Sequence, residues 1–305
     1  MLKILTQRIR EIKLLQATSR YPREVGLNAR LGIHGWGPAS SIAAVITESG
    51  AMGWGVSRLK PDEVAPFLGR AIGELIEPGE GVIAPEAMAL DFPLHDLAGV
   101  LLGEPVYALL GGKGERAVPC YDGAIYMDDL LPFDNPRGLS VVLDNCRADY
   151  ALGYRAFKLK IGRGNKWMEA EAGLARDIEA TRRVREAYPQ SEILVDANDG
   201  YTLDGFRRYL QAVADCNLFW IEEPFRENAA DLRGLRETLV ALSPSTRLAD
   251  GEAQPDVPQL LDLARDKLLD VLIMDVVGLG FTAWRRLMPA LIERNVLAAP
   301  HTWGD

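Results

Sequence analysis

A chain of 305 residues, 48% of them hydrophobic, can bury one large core or a large and a smaller one. Its net charge of -9 argues against nucleic acid or an anionic membrane as the main partner, yet leaves room for a small anionic substrate at a local site of opposite sign. Cys120, Cys146 and Cys216 lie far apart without metal-ligand spacing, and the opening "MLKILTQRIREIKLLQ" is broken by charge too often for a signal peptide. With no apolar run near the ~18 residues of a membrane span, the expectation is a soluble cytoplasmic protein with free thiols.

Residues 1–115 read as a small α+β unit. "SSIAAVITESGAMGWGVS" sets two short apolar runs around a Ser-Gly turn and predicts a hairpin. "PDEVAPFLGRAIGELI" and "PEAMALDFPLHDLAGVLLG" carry helical patterns, the second with His95 as a structural residue. "LLGGKGERAVP", rich in glycine and charge, marks a boundary.

Over 116–305 the texture becomes a steady alternation. Apolar runs at "VPCYDGAIYM", "AFKLKI", "EILVDA", "NLFWIEE", "TRLADGE", "LLDVLIMDV" and "VLAAPH" are separated by amphipathic segments. Strand and helix in turn predict an α/β protein with a parallel sheet and crossover helices. Seven such strands in series fit a (β/α)8-type barrel better than a doubly wound sheet, and an eighth is not found before "HTWGD".

In barrels of this kind the chemistry gathers where strands run into their following loops. Here the second strand carries Lys158 and Lys160, which alternation puts on one face while Phe157 and Leu159 take the other. The third ends in Asp196 and Asn198, the fourth in Glu222 and Glu223, the fifth in Asp250 and Glu252, the sixth in Asp275 and the seventh in His301. Any one of these acids alone could be a helix cap. Together they would converge on one mouth. Three carboxylates on adjacent strands form an oxygen cage for a hard divalent cation, Mg2+ above all, and no His or Cys cluster competes for a softer one. A lysine beside a second ammonium has its pKa lowered and can serve as a base, while an imidazole oriented by a carboxylate can serve on the other side.

The ordered series "KLK", "DAN", "EEP", "GE", "D", "H", with "AMALDFPLHDLAGVLLGEPVYALLGG" ahead of it, resembles the enolase superfamily, specifically its mandelate racemase subgroup. The resemblance implies that the N-terminal unit is a capping domain and that Asp196, Glu222 and Glu252 bind Mg2+. Glu252 is preferred to Asp250 because "GE" matches the subgroup. It makes Lys160 the base on one face of the substrate, with Lys158 tuning it and touching the substrate carboxylate, and His301, paired with Asp275, the acid or base on the other face. Asn198, Glu223 and Asp250 would orient the ligands. The loop "SRYPREVGLNARLGIHGWGP" would act as a lid, with Arg30, His34 and Trp36 able to meet substrate hydroxyls or a distal carboxylate. Trp303 could line the mouth or pack.

The activity implied is abstraction of the proton α to a carboxylate through a stabilised enediolate. Dehydration of a sugar acid to a 2-keto-3-deoxy acid is favoured, with racemisation, epimerisation or cycloisomerisation on the same site as alternatives and a catalytically inactive barrel as a further one. A homo-oligomer is expected by analogy. One motif competes: Gly278, Gly280 and Ala283 in "VVGLGFTA" match a dinucleotide-binding turn, although "VLAAPH" ends without the acid that would bind a ribose. A glycine turn into a barrel helix accounts for it.

Overall fold

The antiparallel pattern of the N-terminal third resolves into β1 (Ile9–Thr18), β2 (Ala39–Thr47) and β3 (Met52–Val56), a sheet in that order, in a computed structural model that describes residues 5–115 and 117–302. The β2–β3 hairpin turns at Gly50, whose φ of +88° is a conformation that glycine adopts at no steric cost. The helix Asp91–Leu102 lies so close on β3 that a Cβ at Gly53 would fall 2.2 Å from the Leu97 backbone nitrogen. Leu90, Leu94 and Leu97 then pack with Ile9, Val45 and Ile72 into a core of their own. "PDEVAPFLGRAIGELI" forms three short 3-10 turns, Pro61–Glu63, Ala65–Phe67 and Ile72–Glu74, instead of the expected helix. Pro66 has no N–H to donate and Gly69 sits at φ +81°, so the helical ladder cannot propagate.

The expected alternation is present. Short strands β4 (Ile76–Glu77) and β5 (Gly81–Val82) pair with each other, and β6 (Asp122–Ile125), β7 (Ala156–Lys160), β8 (Glu192–Asp196), β9 (Trp220–Glu222), β10 (Arg247–Asp250), β11 (Val271–Leu272) and β12 (Leu297–Ala298) form one parallel sheet in chain order. Among the described residues β6 and β12 are its edges. Each crossover contains a helix, including Ser140–Ala151, Ala170–Ala187, Leu203–Val213 and Ala229–Leu242, and the architecture is TIM-barrel-like. Among the described residues no helix is long and apolar enough to cross a membrane. The three cysteines are free thiols.

Period-two alternation sorts the strand residues between two cores. Phe157, Leu159, Ile193, Val195, Ile221 and Leu248 face the helices. Ala156, Leu194, Trp220, Ala249, Val271 and Ile273 form a smaller apolar floor on the opposite side of the strands. Above that floor the same inward face turns polar. Lys160, Asp196 and Glu222 share one level of the β7–β8–β9 register.

Candidate active site

Lys158 and Lys160 are buried, at 2% and 4% exposure, so their charges need partners. The Lys158 ammonium donates to Glu222 and lies 3.3 Å from Asp196 Oδ2, while Lys160 donates to Asp196. Burial works to lower both amines, but the facing carboxylates outweigh it and hold both above the ordinary lysine range. This corrects the expectation of a depressed lysine. Lys158 does push Lys160 down, yet Asp196, in direct contact, pushes it up more.

Asp196, Glu222 and Glu252 bring one carboxylate oxygen each to within 4.8 Å of one another. Burial works to raise Asp196, but Lys160 and Lys158 keep it well below the usual carboxylate range. Glu222 is pushed up to about 8 by burial, with Lys158 opposing and Asp196 adding. Glu252 Oε2 is buried without a hydrogen-bond partner, an orphaned acceptor on the residue that completes the cluster. Three convergent carboxylates with one unsatisfied oxygen fit a hard divalent cation.

Alternation explains which acid of "ADGE" reaches the cluster. Ala249 belongs to the floor, so Asp250 points the other way, where burial and then Glu223, Glu227 and Asp199 hold its carboxyl well up. Gly251, at φ +113°, turns the chain so that Glu252 rejoins the inner side. Glu223 Oε1 accepts from the Ala253 backbone N–H at 2.9 Å and so braces the loop that carries Glu252. Its own carboxyl is pushed up to about 8 by burial and then by Asp196 and Glu252. The Asn198 backbone N–H donates to Asp196 Oδ1 at 2.9 Å, while Asn198 Oδ1 is buried and unpartnered.

On the opposite side, His301 Nδ1 lies 3.1 Å from Asp275 Oδ2, and its Nε2 lies 3.4 Å from Glu252 Oε2. Asp275 also caps the turn Val276–Leu279, its Oδ1 accepting from the Gly278 N–H at 2.6 Å. Burial works to raise Asp275, but His301 and Gly278 prevail and hold it below the ordinary range. An ionised Asp275 accepts from Nδ1–H and leaves Nε2 turned toward Glu252. The neighbouring glycines have local reasons: Gly278 gives its N–H to Asp275, and a Cβ on Gly280 would meet Asp91 Oδ2 at 2.7 Å.

The loop over 19–38 is mounted by its backbone. The carbonyls of Asn28, Ala29 and Arg30 accept from Trp167 Nε1 at 2.6 Å, Asn165 Nδ2 at 2.9 Å and Lys166 Nζ at 3.0 Å, just beyond β7. Gly162 permits this approach, since a Cβ there would sit 2.8 Å from the Ala29 Cβ. Arg30 pairs with Asp199 at 3.1 Å, beside the strand end that carries Asp196. His34 reaches the mouth, its ring 4.7 Å from that of Tyr126. Trp36 instead lies under the Arg20 guanidinium, 4.8 Å from its ring centre, at the root of the loop. Trp303 lies outside the described residues.

Sequence reasoning passed over Tyr121 and Tyr126, which flank β6 and place their rings 5.2 Å and 5.3 Å from the ammonium groups of Lys158 and Lys160. The first barrel strand ends without an acid or an amine, so a search for charge at strand ends skips it. It also missed Arg163, fully buried between Asp129 at 2.7 Å and Asp177 at 2.6 Å, which locks the turn after Lys160.

A TIM-barrel-like parallel sheet with three converging carboxylates at its strand ends defines the class of protein. Residues 142–305, more than half of the chain, match the family model described as Enolase C-terminal domain-like, and the chain belongs to the enolase superfamily, in its mandelate racemase subgroup. The 3,6-anhydro-alpha-L-galactonate cycloisomerase of Streptomyces coelicolor is 31% identical over 74% of this chain and 58% of its own length. The hydrophobic dipeptide epimerase of Enterococcus faecalis is 26% identical over 70% of this chain and 54% of its own. The chain therefore spans little more than half the length of these relatives. Among solved structures, a galacturonate dehydratase from a Geobacillus species, complexed with D-galacturonate and 5-keto-4-deoxy-D-galacturonate, superposes with a TM-score of 0.91 at 32% identity, covering 99% of this chain and 80% of that one. A mandelate racemase/muconate lactonizing protein from Geobacillus, complexed with magnesium and tartrate, gives 0.91 at 32% identity, over 99% and 79%.

Proposed function

We propose that the chain catalyses the Mg2+-assisted removal of the proton α to a carboxylate, and that its substrate is a sugar acid dehydrated to a 2-keto-3-deoxy acid. The observation that carries this reading is that Lys160 contacts Asp196 while His301 lies 3.4 Å from Glu252, so an amine and an imidazole each adjoin a different member of the Asp196–Glu222–Glu252 cluster. Solved neighbours at 31% and 32% identity, one crystallised with magnesium and one with D-galacturonate and 5-keto-4-deoxy-D-galacturonate, support it. Asp196, Glu222 and Glu252 hold the cation, which when bound stabilises the charge that gathers on the substrate carboxylate as its α-proton leaves.

The protein's own groups do the rest. Lys158 lies nearest Glu222 and offers its charge to the substrate carboxylate. Lys160 must lose a proton before it can accept one; Asp196 opposes that loss and Lys158 favours it. The α C–H bond then breaks with its proton on Lys160 Nζ. His301 Nε2, held by Asp275, gives a proton to the β-hydroxyl, the C–O bond breaks, and water leaves. The resulting enol tautomerises to the 2-keto acid.

A second reading keeps the first step and changes the last, with His301 returning a proton to carbon. It is favoured by the names of the relatives, a cycloisomerase and an epimerase. One experiment separates them: incubation of a sugar-acid panel in heavy water with Mg2+, following carbon-bound deuterium and 2-keto acid together. Dehydration predicts a 2-keto acid that carries solvent deuterium at C3, since its α-carbon has become the ketone, and chelation suppresses it. Deuterium without keto acid would select the isomerase reading, and neither product from a Mg2+-bound protein would remove both.

A further inference from the structure

The two lysines are guarded by tyrosines of different anchorage. Tyr121, under Lys158, is steadied from the barrel floor by Trp220, with ring centres 5.2 Å apart. Tyr126, beside Lys160, is steadied from outside the barrel by His34 of the 19–38 loop, edge-on at 4.7 Å and 65°. The loop is tied at the same place: the Met127 N–H donates to Leu27 O at 2.9 Å, and His34 Nδ1 donates to Gly26 O at 2.9 Å. β7 runs between β6 and β8, so Lys160 stands between Tyr126 on one side and Asp196 on the other.

We propose that Tyr126 is a positioning residue for Lys160, the contact through which the 19–38 loop fixes where the base stands; this rests on the reading of Lys160 as the base. A lysine has four rotatable side-chain bonds, and an ammonium or amine released by Asp196 would otherwise sample many of their rotamers. The ring face attracts the cation and limits the rotamers of the neutral amine by contact. The ring is in turn held by His34, so displacement of the loop frees both.

The test compares wild type, Tyr126→Phe, Tyr126→Leu, His34→Ala and the double variant Tyr126→Leu/His34→Ala. It follows turnover of the sugar acid in heavy water, as deuterium incorporation and 2-keto acid formation, with Mg2+ present and, in carbon-13-lysine-labelled resting protein, the ε-methylene resonance of Lys160, assigned by its absence in Lys160→Arg. Tyr126→Leu lowers kcat about tenfold while KM and Mg2+ affinity hold, and Tyr126→Phe, which keeps the ring, recovers most of that loss. His34→Ala lowers kcat in the wild-type background and does nothing further in the Tyr126→Leu background. The Lys160 resonance is ring-current shifted in wild type and Tyr126→Phe and reverts in Tyr126→Leu. A wild-type kcat in Tyr126→Leu, independent additive effects of the two positions, or an unshifted Lys160 resonance in wild type would each overturn the proposal. If wild type turns over no sugar acid, neither incorporating deuterium nor forming a 2-keto acid, the proposed activity falls, and the resonance still decides whether the ring holds the lysine.

Discussion

On the β7–β9 flank of the site, Lys158, Lys160, Asp196 and Glu222 are each at most 4% exposed, and each ammonium has a carboxyl group in contact. On the β10–β12 flank, the side chains of Glu252, Asp275 and His301 keep 25%, 21% and 11% of their surface, and one oxygen of Glu252 has no hydrogen bond. The strands differ in the same sense: β7 and β8 pair without a break from Ala156 to Lys160, whereas β11 and β12 pair over Val271–Leu272 and their extensions meet again in a single bridge, Asp275 to His301. A flank with compensated buried charge is set before any ligand arrives. The other keeps an uncompensated oxygen and an oriented imidazole available to a ligand. Division of labour follows from packing as much as from residue type.

Four measurements would break or sharpen that contrast. Lys160→Met should lower α-proton exchange by about 10^3-fold, the size of a lost general base, with Mg2+ affinity by calorimetry unchanged. A loss of metal affinity would show that the two flanks do not act separately. Glu222→Leu should destabilise the metal-free protein by about 3 kcal/mol in denaturant melts, because it leaves buried Lys158 to share Asp196 with Lys160, whereas Glu252→Leu should change stability by less than about 1 kcal/mol. Equal effects would erase the difference in packing.

The third concerns Asp122 at the edge of the packed flank, where burial and then the neighbouring Asp149 push its carboxyl up to about 7. An unfolded aspartate titrates near ~3.9, so between these values the folded state holds the extra proton and stability falls as pH rises. Asp122→Asn should therefore stabilise the protein by about 2 kcal/mol at about pH 8, with the gain vanishing below about pH 4. A gain that persists in acid would assign it to packing. The smallest effect expected is at the end of β10: Glu252→Gln should weaken Mg2+ binding about tenfold more than Asp250→Asn does, and the reverse order would move the ligand to Asp250.

The alternation of apolar runs and amphipathic segments was enough to find the parallel sheet, because each strand buries both faces and reads as a short continuous apolar run. The strand-end carboxylates were legible for the same reason, since a charge closing such a run has little place but the mouth. Three features were hidden. The charge state of Lys160 depends on Asp196, a residue 36 positions away whose contact exists only after folding. Tyr126 carries its role in the face of a ring and in its distance from an amine, neither of which shows as a charge pattern. Trp36 looked like a mouth residue from its loop, yet Arg20 draws it to the loop's root. The helix expected across Pro61–Ile76 failed on a proline and a glycine that are visible in the sequence and were outweighed by the apolar periodicity.

The mounting of the 19–38 loop has a consequence for how such a protein changes over generations. Its grip on the barrel uses the oxygens of Asn28, Ala29 and Arg30, atoms that every amino acid supplies, received by Trp167, Asn165 and Lys166 on the barrel side. Mutations that replace the side chains of the loop leave those three tethers in place. The side chains of the loop can therefore drift while the scaffold beneath it stays attached.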